Sequence, residues 1–231
     1  TGGTIEALGT GAIVEFSGAA IVGGTLTSDA GATLRHVGSS TFSDVTLSAG
    51  SVLQVMNNTV ASFTGTLANS GTVTLASVGN TTDFALNSNV TLDGGGTFSL
   101  SNNGNNRFYG TSVNHVLTNK NNTIQGSGQL GAGAMGLNNQ ATIKANQSTA
   151  LIIDPSAAGV TNTGLLRADS GATLQLQNGT FGNTGGTIEA FGTGSVVAFH
   201  TATVSNGLLT SAGGGTLRSI ADSTFTDVTL G

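Results

Sequence analysis

The chain has no cysteine and no tryptophan, a single proline and a single tyrosine, and only 7% of its residues are charged. Lack of cysteine excludes a disulfide framework, a thiolate metal centre and a cysteine nucleophile. Six lysines and arginines, scattered rather than grouped along 231 residues, supply no basic patch, so nucleic acid is not an expected partner and neither is an anionic membrane surface. No apolar run reaches the roughly 18 residues of a spanning helix, so no direct membrane insertion is expected. The first residues carry no signal-peptide pattern and already lie inside a repeat, which leads us to expect an excerpt of a longer polypeptide. Sparse charge does not make the chain disordered, because 37% of it is hydrophobic and can bury a core.

What is abundant is glycine, at 37 residues, together with Thr, Val, Ile and Phe, which favour strands, and Asn, Ser and Asp, which favour turns. The expected class is all-β. Two repeats organise it. Residues 1–47 align without a gap with residues 184–230, and more than half of these positions are identical, as in TGGTIEALGTGAIVEF against TGGTIEAFGTGSVVAF. A shorter Gly/Asn-Thr-apolar phrase recurs at Thr4, Thr25, Thr46, Thr72, Thr97, Thr123, Thr142, Leu165, Thr187, Leu208 and Thr229. Its mean spacing of about 22 residues is that of a solenoid coil. Eight short periods are expected to make one long one.

Alternate side chains of a strand face opposite ways, so the residue after each marker is expected to point inward. These residues are Ile5, Leu26, Leu47, Val73, Phe98, Ile124, Ile143, Leu166, Ile188, Leu209 and Leu230, all apolar. From Glu6 and Thr27 through Lys144, Arg167 and Glu189 to Thr210 the next position is polar, as a solvent-facing column requires. Further strands are expected at 12–16, 32–37, 52–56, 84–86, 151–153, 173–176 and 196–199. The predicted fold is a right-handed parallel β-solenoid of about 10 coils of about 22 residues, the handedness following the rule for parallel crossovers. A two-domain β-sandwich fits the strand spacing but does not need one phrase recurring in phase. Residues 1–231 are read as one solenoid segment, with 1–183 one long unit and 184–231 the start of a second.

Several features invite a chemical reading. Eleven acidic residues are spread singly, without the grouped carboxylates that a polysaccharide lyase or hydrolase needs. His36, His115 and His200 lie far apart, and the duplication exchanges His36 for Ser219 and Ser17 for His200. No catalytic residue, metal site or cofactor is expected, and the chain is not read as an enzyme. Thr25-x-Thr27 and Thr72-x-Thr74 fit an ice-binding ladder locally, but charged residues interrupt the column elsewhere. Asparagines such as Asn57, Asn58, Asn69, Asn102, Asn103, Asn162 and Asn183 suit turns and coil-to-coil ladders. Phe108 and Tyr109, expected to be exposed beside Arg107 and the Asn-rich residues 101–106, are the candidate contact for a glycan or a protein partner.

The phrases NNTIQGSGQLG (residues 121–131), LNNQATIKANQSTALIIDPSAAGVTNTGLLRADSGATLQL (137–176) and NTGGTIEA (183–190) resemble repeats of giant bacterial surface proteins, namely the β-helical passengers of autotransporters and filamentous-haemagglutinin-like adhesins. The resemblance implies export to the cell surface, a β-helical rod, and a role in adhesion, surface layers or filaments, with a surface glycan or host-cell receptor as partner. Neither terminus reads as a polar cap. The expected neighbours of the end coils are therefore further coils, of the same chain or of the next subunit of a filament.

Overall fold

Alternating apolar residues separated by Gly, Asn and Asp corners give, in a computed structural model that describes residues 2–231, twenty-seven strands and no helix. All pairings are parallel, and each strand pairs with its equivalents about one coil away in sequence. The chain is a parallel β-solenoid of about ten coils. At about 4.8 Å per rung the stack is roughly 50 Å long.

Each coil has three sides. Face A is a sheet of eleven rungs: Ile13–Phe16, Thr33–His36, Val52–Met56, Thr72–Ala76, Thr97–Leu100, Thr123–Gly126, Thr142–Ala145, Leu165–Ala168, Thr187–Phe191, Leu208–Ala212 and Thr229–Leu230. Face B starts at Ala20–Val22 and continues through 39–43, 60–64, 82–86, Asn106–Gly110, Gly128–Leu130, Leu151–Ile153, 173–177 and 196–200 to Thr216–Ser219. Face C starts at Thr4–Ala7 and Thr25–Ser28, then takes 45–47, 65–69, 90–93, Val116–Asn119, Gly136–Asn139, Val160–Asn162, 179–182 and 202–205, and ends at Thr224–Thr226. Five long strands, such as Val196–Ser205, cross from face B to face C. Where they turn, single residues such as Asp44 (φ 51°), Gly65 (φ 69°), Asn178 (φ 46°) and Thr201 (φ 54°) take the left-handed conformation.

The inward column of face A runs Val14, Leu34, Leu53, Val73, Phe98, Ile124, Ile143, Leu166, Ile188, Leu209 and Leu230. The expected column is thus continuous from Val73 onward, but Ile5, Leu26 and Leu47 stand on face C, one side away. Strands on both faces open with the same Gly-Thr-apolar phrase, which is why the sequence joins them. Leu26 through Leu209 of the expected set are buried, whereas Ile5 is half-buried and Leu230 is 75% exposed, because the end coils are covered on one side only. Within the rod, Phe42, Phe63, Phe84 and Phe108 form a stack with centroid separations of 5.1, 4.0 and 4.7 Å.

A second ladder is polar. At the corner from face C to face A the Asn69 amide donates to Asn122 Oδ1 (2.9 Å), and the Asn122 backbone N–H donates to Asn119 Oδ1 (3.1 Å). Asn119, Asn139 and Asn162 then each donate Nδ2 to the Oδ1 of the next member, ending at Asn183, over 2.9, 2.8 and 2.7 Å. All six are buried. A buried primary amide has both donor and acceptor capacity to satisfy, and a parallel stack offers each one a copy of itself. Gly186 is tied to this corner, since a Cβ there would lie 2.5 Å from Asn162 Nδ2. Asn57, Asn102 and Asn103 bond instead to backbone N–H groups of their own or other turns.

The long repeat behaves differently from the sequence expectation. TIEA occupies face C at residues 4–7 but face A at 187–190. Residues 13–16 lie on face A and their equivalents 196–199 on face B. One long unit therefore spans eight coils and one further side, not eight coils. The local backbone is nevertheless the same in both copies: Gly18 (φ 63°) and Thr201 (φ 54°), Gly23 (φ 64°) and Asn206 (φ 62°), and Asp44 (φ 51°) and Asp227 (φ 53°) are equivalent corner residues. Three sides of similar length with similar corners let one sequence occupy any of them.

Candidate functional site

Arg107, Phe108 and Tyr109 lie on face B, in the strand Asn106–Gly110. Strand alternation sends Phe108 inward, where it is fully buried against Phe84 and Phe98, so the expectation of an exposed Phe108 is overturned. Arg107 and Tyr109 point outward. The Arg107 guanidinium grips Asp83 on the preceding rung with two bonds of 2.8 Å, from Nε to Oδ1 and from an Nη to Oδ2. It also lies 5.4 Å from the Tyr109 ring centroid. Hydrogen bonding to the Asp83 carboxylate holds the Arg107 pKa above its ordinary value, and burial raises that of the Tyr109 hydroxyl. Asp83 is itself buried, at 3% side-chain exposure. These charges neutralise one another within the rod, and the strip they occupy continues along the outward column as Gln129, Ile152 and Gln175.

The histidines are separate. His36 points into the core between Phe16 and Val55. Its Nε2 accepts the Ser40 backbone N–H at 3.1 Å, and Nδ1 faces the Thr59 hydroxyl at 3.1 Å. That wiring requires the neutral ring, and burial lowers the pKa from 6.5 to about 4. His115 Nδ1 lies 2.9 Å from the Leu86 carbonyl, which it meets as a donor. His200 is on the outward side of face B, beside Gln177. Among the described residues no group of three or more His, Asp or Glu side chains is arranged to hold a metal ion. The Asp93 carboxylate, which opens the Asp-Gly-Gly-Gly segment, is bound by Lys120 Nζ (2.6 Å), the Asn121 amide (2.6 Å) and the Gly94 N–H (2.8 Å). The Lys120 contact leads in holding its pKa below the usual value.

On face A the marker threonines do form an outward column, through Thr72, Thr97, Thr123 and Thr142, but Val52, Leu165 and Leu208 interrupt it. The adjacent column carries Arg35, Lys144, Arg167 and Glu189. Arg167 sits 3.5 Å from Glu189 on the next rung and 3.9 Å above the Phe191 ring.

The two ends of the rod are the places where core side chains meet solvent. At the C-terminal end Phe199, Leu209, Leu217, Phe225, Val228 and Leu230 line an open apolar hollow rimmed by Arg218. At the N-terminal end the inward Ile5, Val14 and Ile21 are only half-buried. Both ends present strand edges with free backbone donors and acceptors, since no rung lies beyond Thr4–Ala7 or beyond Thr224–Thr226 among the described residues. Compared with protein-family models, curated proteins and solved structures, the chain matches none.

Proposed function

We propose that this β-solenoid is a structural rod, a stalk or filament segment of a large bacterial surface protein that works outside the cell in adhesion or assembly. Three parallel ladders and one apolar core run the length of the rod. A rod of this kind acts mechanically. Tension along it is borne by many equivalent backbone hydrogen bonds, while the outward columns offer a repeated surface. Open edges are aggregation hazards unless further coils cover them, and end-to-end continuation is the use that removes the hazard. Sedimentation combined with electron microscopy of the purified chain tests the reading. Rods in multiples of roughly 50 Å are expected as concentration rises; a strict monomer at every concentration, with both end coils fully protected from hydrogen exchange, would contradict it.

A further inference from the structure

The outward marker column of face A reads the same in both directions along the rod. From the rung of Ile13 to that of Leu208 it has ten positions. Four are aliphatic: Ile13 and Val52 on the first and third rungs, Leu165 and Leu208 on the eighth and tenth. The other six are threonine. The order is a palindrome about the midpoint between Thr97 and Thr123, which pair as the fifth and sixth rungs. Every residue of the column keeps part of its surface in solvent, Ile13 most at 47%.

A two-fold interface must be self-complementary, residue i on j and j on i, and a palindromic column meets that condition. Consider a second copy laid face A to face A with its rod antiparallel and the two-fold axis along the strand direction. Each outward column then lies on its own copy, and the first rung meets the partner's tenth, the second its ninth. Ile13 falls on the partner's Leu208 and Val52 on the partner's Leu165, each contact made twice, while threonine falls on threonine elsewhere. The neighbouring column matches in charge, since Arg35 on the second rung meets the partner's Glu189 on the ninth. In the third column Phe191, 41% exposed, meets the partner's Val37. A slip of one rung either way pairs none of the four aliphatic residues with another, and in one direction sets Arg35 against Arg167 and Glu15 against Glu189. The ten rungs cover about 48 Å by about 13 Å, so a pair buries roughly 1,200 Å² in all, above the ~1,000 Å² of a specific interface. Further coils stack above and below this face and do not cover it.

We propose that face A is a lateral docking surface for a second copy of this chain, which lies antiparallel and face to face with the two-fold axis between Thr97 and Thr123. The contact is isologous and closed, so it makes a pair of rods and goes no further by itself. It goes beyond the end-to-end reading, and either can fail without the other, because a lateral pair is as long as one chain and twice as wide in electron micrographs.

Thiol cross-linking tests the geometry, and the absence of native cysteine removes background. Chains carrying Thr33→Cys or Thr187→Cys are treated with a short bis-maleimide, separately and mixed. Sheets packed face to face lie about 10 Å apart, so the mixture is expected to give a covalent dimer. Either chain alone should yield at least about tenfold less, because like positions stand seven rungs, about 34 Å, apart along the rod. A dimer from Thr33→Cys alone means parallel rods and overturns the proposal, as does a mixture that stays monomeric. A second arm needs no cysteine. Val52→Glu and Leu165→Lys each place two unpaired charges in the joint and should weaken self-association by about tenfold or more. The two variants mixed should regain a dimer, since the introduced carboxylate then faces the introduced ammonium. Both positions point away from the core, so thermal melts should match those of the parent chain. Variants that associate like the parent, or a mixture no tighter than either variant alone, refute the aliphatic register.

Discussion

Removal of one amide from the asparagine ladder has a cost that follows from its neighbours. Asn162 is 1% exposed, accepts from Asn139 Nδ2 at 2.8 Å, and donates Nδ2 to Asn183 Oδ1 at 2.7 Å and to the Gly164 carbonyl at 3.1 Å. In Asn162→Ala the Asn139 amide keeps the Ala141 carbonyl at 3.1 Å. Asn183 Oδ1 loses its side-chain donor, whereas the Gly164 carbonyl keeps the Thr187 backbone N–H at 2.9 Å. A buried group left unsatisfied costs about 1–3 kcal/mol, so the substitution should destabilise the rod by roughly 2 kcal/mol. Asn162→Asp removes the same donor and adds a buried charge, and should cost more at neutral pH than at pH 3. Urea unfolding followed by circular dichroism measures both, with Asn102→Ala, on an exposed turn, as the control. Hydrogen exchange at Thr187–Phe191 shows whether the loss is local, since solenoids need not unfold as one unit. An Asn162→Ala chain within about 0.5 kcal/mol of the parent would refute the view that the ladder holds this corner.

Thr201 is β-branched and left-handed (φ 54°), where the duplicate has Gly18. Thr201→Gly should therefore stabilise by about 0.5–1 kcal/mol, the relieved strain exceeding the added chain entropy, and a thermal melt that falls would contradict this. His36 has its folded pKa lowered to about 4 from 6.5, so its contribution is complete above pH 6.5 and is lost as the pH falls toward 4, when the unfolded chain takes up the proton first. Melts from pH 7 to pH 4.5 should lose about 2–3 kcal/mol, and the loss should vanish in His36→Ser, the residue present in the second copy. Phe84→Ala, at the centre of the ring stack, should cost about 3–5 kcal/mol, against under about 1 kcal/mol for exposed Phe191→Ala.

Fold class and coil period were legible because alternation and corner chemistry repeat with the coil, and a one-residue slip would turn the whole inward column outward. From Val73 to Leu209 that logic identified one true column. It failed at Leu47, where the marker phrase passes from face C to face A, because the phrase encodes a corner and a strand but not which side of the coil they form. The same degeneracy hid the extra side in the long repeat. Phe108 was misplaced for a different reason: the glycine- and asparagine-rich residues before it suggested a loop, although Arg-Phe-Tyr alternates in phase with Phe84. His36, two residues after inward Leu34, could have been read as buried by the same rule. The Asp83–Arg107 pair had no local signal, since twenty-four residues separate its members and only the register joins them.

The stack itself is most directly tested by spin-label distances along the outward column of face A. Labels at Thr187 paired in turn with Thr142, Thr123, Thr97, Thr72 and Thr33 span two to seven rungs of one ladder. The distances should rise by about 4.8 Å per rung, whatever the number of residues between the labels, reaching about 24 Å for Thr72 at five rungs. Distances that track sequence separation, or that fail to increase by a constant step, would contradict the solenoid.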